Sequence, residues 1–332
     1  MESEEIMALT ASARALTEVL EQQRQQGTTA LAAFVPAGFP DLGGCVALAR
    51  QAVSAGAEVI ELGVPDRRPM LDGPVISRAY RHALRQGTDL LEVMTAVRGV
   101  AQEAPVVVLS YYASVLLYGP ERFVQDLARA GAAGMMIPDL PGDEAESLQA
   151  AARCYGLLTP QFAARRASDL RLAQVAQTAS GFAYVPAADA VSGYRGDLVL
   201  PDLRRFCTRV RAAGADTLAC GIGLSTPERA AMVAPLAELV VAGSTVLEPL
   251  LERPDADGAD EAARRVAAFA AALSPSPAAE VSAPRRPVES PEDGPELSHS
   301  VRAGQHVGDG PARTLPTEPE PGPEPGEPPT GP

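Results

Sequence analysis

The segment Gly56-Ala-Glu-Val-Ile-Glu-Leu-Gly-Val-Pro65 runs directly into Asp-Arg-Arg-Pro-Met-Leu-Asp-Gly-Pro74, and together they indicate a fold and a site. The apolar run Val59–Gly63 is typical of a strand covered on both faces, and the Pro- and Gly-rich continuation is typical of a loop. Glu61 lies in the strand and Asp72 in the loop. Because a buried carboxylate is costly without a partner or a role, the pair predicts acid–base chemistry at the strand end.

Each carboxylate alone also has a purely structural interpretation. Glu61 could form a salt bridge to an arginine, and Asp72 could form the turn before Gly73. Their position at one strand end favours catalysis over either alternative.

Outside this segment, short apolar runs alternate with amphipathic helical patterns, which predicts an α/β fold. The predicted strands are Leu31–Val35, Val59–Gly63, Val106–Tyr111, Gly134–Pro138, Leu157–Phe162, Phe182–Val185, Thr217–Gly221 and Leu239–Ala242. The predicted helices are an opening helix at 6–24, then Leu42–Ser54, Leu90–Glu103, Glu121–Ala130, Glu144–Cys154, Leu170–Thr178, Leu203–Ala213, Pro227–Val233 and Val246–Leu251. Eight strands over about 250 residues predict a (β/α)8 TIM barrel with an extra N-terminal helix. An open, doubly wound sheet is the alternative.

The composition changes near residue 274. Of the 31 prolines, 15 fall between Pro275 and Pro332, and the segment Pro319–Pro329 contains only proline, glutamate and glycine. Such a segment cannot form a packed core. We therefore expect two parts, a barrel over residues 1–273 and a disordered Pro/Glu-rich tail over residues 274–332.

Charge and residue usage exclude several classes of function. A net charge of -14 argues against nucleic-acid and anionic-membrane partners, which need clustered cations. The absence of lysine excludes Schiff-base and pyridoxal-phosphate chemistry on this chain. The scattered cysteines and histidines predict no metal site, and reduced thiols with an acidic N-terminus predict a cytoplasmic protein. No cofactor is expected.

A second candidate site lies in the loops after the last three predicted strands. Ser192 and Gly193 follow strand six, Gly223 follows strand seven, and Gly243 and Ser244 follow strand eight. Glycine lets backbone N–H groups approach an anion, and phosphate sites in TIM barrels lie after strands seven and eight. Each glycine alone could simply form a turn. Their recurrence at consecutive strand ends predicts a phosphorylated substrate.

Several aromatic residues and one further acid lie near the predicted strand ends. Tyr184 is on strand six, and Tyr111 and Tyr112 end strand three; all three could wall a planar substrate or simply pack. Asp139 ends strand four and could accept a hydrogen bond from a neighbouring loop or a partner.

The sequence resembles the tryptophan synthase alpha chain family over about residues 31–251. The resemblance rests on Glu61-Leu-Gly-Val-Pro65, Leu71-Asp-Gly-Pro74, Ile137-Pro-Asp-Leu-Pro141 and Gly221-Ile-Gly-Leu-Ser225. It implies a lyase of tryptophan biosynthesis that cleaves indole-3-glycerol phosphate to indole and glyceraldehyde 3-phosphate. It also implies a beta-chain partner in an alpha2beta2 assembly.

The resemblance assigns roles to the candidate residues. Glu61 would be the acid–base group, and Asp72 would hold the indole N–H. Phosphate would be bound by Gly193, Gly223, Gly243 and Ser244, with Ser192 keeping the hydroxyl of a family threonine. Tyr184 matches a family tyrosine near the catalytic carboxylate.

This chain departs from the family in three places. Asp66-Arg-Arg68 replaces the usual aromatic-Ser-Asp, Ala188 replaces a family arginine, and Ala113-Ser114 replaces Asn-Pro. The first and third positions lie where the family meets its beta chain. Two alternatives to the coupled enzyme follow. One is a weakly active or non-catalytic regulatory subunit of a beta-like partner, and the other is a stand-alone lyase that supplies indole to a specialised pathway.

Overall fold

Eight parallel strands form the centre of the computed structural model, which describes residues 8–274. The strands are β1 (Ala30–Pro36), β2 (Val59–Gly63), β3 (Val106–Leu109), β4 (Gly134–Met136), β5 (Gln161–Phe162), β6 (Ala183–Pro186), β7 (Leu218–Gly221) and β8 (Leu239–Ala242). They follow the order β4-β3-β2-β1-β8-β7-β6-β5, and a parallel bridge between Gly134 and Leu158 joins the two ends. The predicted TIM barrel is confirmed, and the open sheet is wrong.

Helices surround the strands in the part of the chain that the structure describes. They are α1 (Ala11–Gln26), α2 (Leu42–Ser54), α3 (Pro74–Gln86), α4 (Leu90–Val100), α5 (Tyr112–Tyr118), α6 (Pro120–Ala130), α7 (Gly142–Cys154), α8 (Asp169–Thr178), α9 (Leu200–Ala212), α10 (Pro227–Val233), α11 (Ser244–Glu252) and α12 (Ala256–Leu273), with a 3-10 turn at Ala234–Leu236. The extra N-terminal helix, α1, is confirmed. The sequence did not predict α3, α5 or α12.

Several predicted boundaries were wrong for local reasons. The opening helix begins at Ala11 because the Thr10 hydroxyl caps it, accepting a hydrogen bond from Ala13 N. Strand β3 ends before Tyr111, which caps α5 instead. Prolines lack an N–H for the ladder, and Pro138 and Pro160 both lie outside the observed strands.

The strand register sets which side chains enter the barrel. Glu61 lies between Phe34 of β1 and Val107 of β3. All residues of β1, β2 and β3 are buried, as expected for strands packed on both faces. Residues of one strand alternate between faces, so Glu61 and Gly63 share the inward face.

No helix within residues 8–274 is long and apolar enough to cross a membrane. The tail predicted for residues 274–332 lies, apart from Ser274, outside the described residues. The division into barrel and tail stays a prediction.

Candidate active site

A cavity of about 600 Å³, including its opening, lies at the carboxyl ends of the strands. The residues predicted to be catalytic or to bind substrate all line it: Glu61, Asp72, Tyr184, Ser192, Gly193, Gly223, Gly243 and Ser244. Tyr111, Tyr112 and Asp139 are not among the lining residues. The predicted residues that line it come from strands β2 and β6 and from the segments that follow β2, β6, β7 and β8. The barrel therefore joins the two candidate sites into one.

Glu61 has the environment of a protonated acid. Its side chain is 5% exposed and, within the described residues, forms no hydrogen bond or ion pair with the protein. Burial, followed by the negative charge of Asp72, raises its pKa from 4.5 to about 8. The predicted alternative of a salt bridge to an arginine is wrong.

Asp72 is buried too, but it has a hydrogen-bond donor. Tyr111 donates its hydroxyl to Asp72 Oδ2 at 2.8 Å, and Leu71 N in turn donates to the Tyr111 oxygen at 3.0 Å. Burial raises the pKa of Asp72 to about 6, although the Tyr111 hydrogen bond opposes that rise. Tyr111 was expected to wall or pack, and its hydrogen bond to Asp72 could not be read from the sequence.

The two carboxyl groups therefore differ in protonation at neutral pH. Glu61 keeps its proton near pH 7, while Asp72 is largely ionised. Since the groups interact, the two pKa values belong to the pair. A neutral acid beside a carboxylate can donate a proton while a developing positive charge is stabilised nearby.

Apolar side chains from the barrel strands form a further part of the cavity wall. Sequence reasoning missed them because each lies inside an ordinary strand pattern: Phe34 of β1, Leu109 of β3, Met136 of β4, Phe162 of β5 and Val241 of β8. The Phe162 ring stacks on Tyr184, with centroids 5.8 Å apart and planes at 27°. The wall suits a flat apolar ring system.

Two loops close over the carboxylates. Ser192 N donates to Leu71 O at 2.9 Å, and Gly73 N donates to Ser192 Oγ at 2.9 Å. A side chain at Gly73 is excluded, because its Cβ would lie 2.0 Å from Ser192 O. These two hydrogen bonds hold the loop after β6 against the loop that carries Asp72.

We expect Ser192→Ala to weaken the contact between these two loops without unfolding the barrel. The change removes the acceptor for Gly73 N, and one hydrogen bond contributes about 1 kcal/mol, or roughly fivefold in an opening equilibrium. Trypsin should cleave after Arg195, in the same loop, about fivefold faster, as followed by mass spectrometry. Thr208→Ala, which changes an exposed hydroxyl on α9, is the control. An unaltered cleavage rate in Ser192→Ala would contradict this role.

The part of the cavity around Ser244 is suited to an anion. Ser244 begins α11, and its Oγ is buried with no hydrogen-bond partner in residues 8–274. Gly193 and Gly223 adopt positive φ values of 81° and 107°, which bring backbone close to this helix end. A Cβ at Gly193 would lie 3.3 Å from Ser244 Oγ. A helix N-terminus with an unpaired hydroxyl favours phosphate.

Two arginines form hydrogen bonds with the backbone of the segments around Ser244. Arg229 donates to Gly223 O at 3.3 Å and to Arg195 O at 3.1 Å, joining the loops after β7 and β6. Arg265 donates to Thr245 O at 2.7 Å. These contacts were not predicted, since the residues lie on helices and loops without a recognisable motif.

Two of the departures from the family pattern contact each other. Ser114 Oγ donates to Asp66 Oδ2 at 3.1 Å, and Asp66 Oδ1 accepts from Arg68 N at 2.7 Å. Asp139 accepts from Tyr112 N at 2.8 Å, so its predicted contact with a neighbouring loop is confirmed. Two of the three changed segments therefore touch at the first turn of α5.

Comparison with known proteins adds an independent observation. The sequence model of the family described as tryptophan synthase alpha chain matches residues 20–276. The tryptophan synthase alpha chain of Streptomyces coelicolor is 37% identical over 256 residues, covering 76% of this chain and 94% of that protein. That of Geotalea uraniireducens is 38% identical, covering 75% and 92%. A chain of Mycobacterium tuberculosis tryptophan synthase superposes with a TM-score of 0.72 at 31% identity, covering 78% of this chain and 97% of its own.

Proposed function

Because this chain belongs to the tryptophan synthase alpha chain family, lyases of tryptophan biosynthesis, we propose that it cleaves indole-3-glycerol phosphate to indole and glyceraldehyde 3-phosphate. The observation that carries the proposal is the single cavity that Glu61, Asp72 and Ser244 all line. Its apolar side chains suit an indole ring.

Glu61 would move the proton in this retro-aldol reaction. As a neutral acid it donates its proton to the ring carbon that bears the side chain. The carboxylate so formed then accepts the proton of the adjacent substrate hydroxyl. The carbon–carbon bond breaks, its electron pair returns to the ring, and the hydroxyl carbon becomes the aldehyde. One proton is added and one removed, so Glu61 ends as it began.

Asp72 would stabilise the intermediate charge. Protonation of the ring carbon places positive charge on the ring nitrogen, and an ionised Asp72 can accept its N–H. The Tyr111 hydroxyl is hydrogen-bonded to Oδ2 of Asp72, which leaves Oδ1 for the substrate. No step uses a metal or a cofactor.

The phosphate would lie at the start of α11, with backbone N–H groups and Ser244 Oγ as donors. We expect Ser244→Ala to raise KM about tenfold for indole release, because a hydrogen bond to a charged group contributes about 1.5 kcal/mol or more. The melting temperature should stay level or rise, since the removed hydroxyl is unpaired. Ser274→Ala, at an exposed hydroxyl, is the control. An unchanged KM would count against this phosphate site.

The lyase proposal has a direct test. Purified full-length protein is incubated with indole-3-glycerol phosphate, and indole is measured alone and with a tryptophan synthase beta chain. Indole release supports the proposal, and no release in either mixture overturns it. Strong release without a beta chain favours the stand-alone lyase.

We also propose that a beta chain binds the surface beside α5. Leu117 is 90% exposed there, and Leu116 and Met70 are more than half exposed. Relatives in crystals are described as parts of tryptophan synthase. The altered loop at Asp66–Arg68 adjoins this surface, so a beta chain matched to it should carry acidic residues. Co-purification that raises beta-chain activity without indole release would favour the regulatory subunit. The cytoplasmic location stays a prediction.

A further inference from the structure

A second cavity, separate from the candidate active site, carries a cluster of basic side chains. It lies where α3 packs against α11, and its volume is about 830 Å³, including its opening. Basic residues of α3 and apolar residues of the neighbouring segments line it: Arg78, Arg81, His82 and Arg85, with Phe39, Leu250, Leu251 and Pro254. None of these side chains is a carboxylate, and none of them lines the active-site cavity. Small-molecule sites in proteins have volumes in this range.

The basic residues share one face of α3. Positions 78, 81, 82 and 85 are three or four residues apart, so their side chains are neighbours on the helix surface. Like charges at this spacing repel one another and destabilise a helix. The arrangement therefore weakens α3 unless an anion lies against it.

The three arginines have no anionic partner in the part of the chain that the structure describes. Arg78, Arg81 and Arg85 are exposed, and within residues 8–274 none of their guanidinium groups forms an ion pair or a hydrogen bond. The chain has 42 acidic residues against 28 basic ones, and arginines elsewhere do pair, as Arg211 does with Glu238 at 2.7 Å. The cluster on α3 is thus available to a ligand.

The apolar side of the cavity is held in place by contacts of His82. Its Nε2–H donates to Pro40 O at 2.9 Å, and its ring packs edge-on against Phe39, with centroids 5.3 Å apart. Phe39 and Leu250 are each only 2% exposed, so the surface under the arginines is a packed one. The cavity is therefore formed before any ligand binds.

Phosphate groups match this set of donors. A guanidinium is planar and donates two parallel N–H bonds to the oxygens of one phosphate, and it keeps its charge at any physiological pH. Two or three linked phosphates present enough oxygens and negative charge to contact three guanidiniums at once. Such a ligand would also remove the repulsion between the arginines.

From the unpaired arginines, their common helix face and the cavity beside them, we propose that this chain has a second ligand site, which binds a diphosphate or triphosphate group. Inorganic pyrophosphate and nucleoside diphosphates share that group. In a nucleotide, the base would lie against the apolar residues Leu251 and Pro254. The inference goes beyond the proposed lyase function and does not rest on it.

Calorimetric titration of the full-length protein with inorganic pyrophosphate, and separately with ADP, tests the site. The double variant Arg81→Gln/Arg85→Gln should bind both about tenfold more weakly or worse, because loss of one exposed ion pair weakens binding by up to about fivefold. Its melting temperature should match the parent or exceed it, since both arginines are exposed and unpaired. Arg98→Gln, which removes an exposed guanidinium from α4, is the matched control and should bind as the parent does.

The outcomes decide between this site and the active site. Pyrophosphate can also enter the active-site cavity, so the titration is repeated with Ser244→Ala. Binding that persists in Ser244→Ala and weakens in the double variant supports the site on α3. No binding by the parent at millimolar ligand, or equal binding by the parent and the double variant, overturns it.

The two ligands distinguish the possible sources of the phosphate group. Tighter binding of ADP than of pyrophosphate assigns the site to a nucleotide, and equal or weaker binding of ADP assigns it to the diphosphate alone. Neither titration requires indole release, so failure of the lyase proposal would leave this test intact.

Discussion

Glu61→Gln should lose roughly 10³-fold or more of the indole-releasing rate and become more stable at alkaline pH. The amide keeps the size of the side chain but cannot donate the proton that cleavage needs, and loss of general acid–base catalysis typically costs 10²- to 10⁴-fold. The measurement that checks this is kcat for indole release by the variant and by the parent, both at saturating substrate.

The stability change has a definite sign. The pKa of Glu61 rises from 4.5 to about 8 on folding, so ionisation is disfavoured in the native state. The parent therefore loses stability as pH rises between about 4.5 and 8, and the glutamine variant escapes this loss. We expect urea unfolding at pH 9 to show the variant more stable by on the order of 5 kcal/mol. Near pH 4 the two proteins should be alike.

Glu58→Gln is the matched control. Glu58 directly precedes β2, at the opposite end of the strand from the mouth, where Leu31 N donates to its Oε2 at 3.3 Å. This change should leave indole release near the parent rate. A normal rate in Glu61→Gln would remove Glu61 from the mechanism, and unchanged alkaline stability would show that its carboxyl is not buried and neutral.

Asp72→Asn should reduce kcat by roughly 10²-fold or more, with a smaller effect on KM. The amide oxygen can still accept the ring N–H and the Tyr111 hydroxyl, but the negative charge that opposes the developing cation is lost. The parent rate should fall as pH drops below about 6, where Asp72 takes up a proton, and also above about 8, where Glu61 loses its proton. The variant should lose the acidic limb and retain the alkaline one.

Two comparisons make this result specific. Tyr111→Phe keeps the charge of Asp72 and removes one hydrogen-bond donor to it, so its kcat should lie between those of the parent and Asp72→Asn. Asp139→Asn alters a carboxylate that accepts from Tyr112 N and does not line the cavity, so it should keep the parent rate in the absence of a beta chain. An intact acidic limb in Asp72→Asn would assign that limb to another group.

Much of the fold was predictable because its signals are local. Most strands of this barrel are short continuous apolar runs, which can be recognised in the sequence, so all eight strands were predicted. Their ends were less certain, since Pro138 and Pro160 stop hydrogen bonding without ending the apolar pattern. Helix α3 was missed although its buried residues Ile76, Ala79, Tyr80 and Ala83 have helical spacing, because its first residue, Pro74, was assigned to the preceding loop.

The sequence by itself determined the barrel class and the residue types available for chemistry, including carboxylates without any lysine. It also placed Glu61, Asp72 and Ser244 at strand ends. Only the tertiary structure decided their protonation and their hydrogen-bond partners. Tyr111 meets Asp72 across 39 residues, and Ser192 meets Gly73 across 119. Such distant contacts form when the barrel closes, and closure removes the water that would otherwise keep Glu61 an ordinary acid.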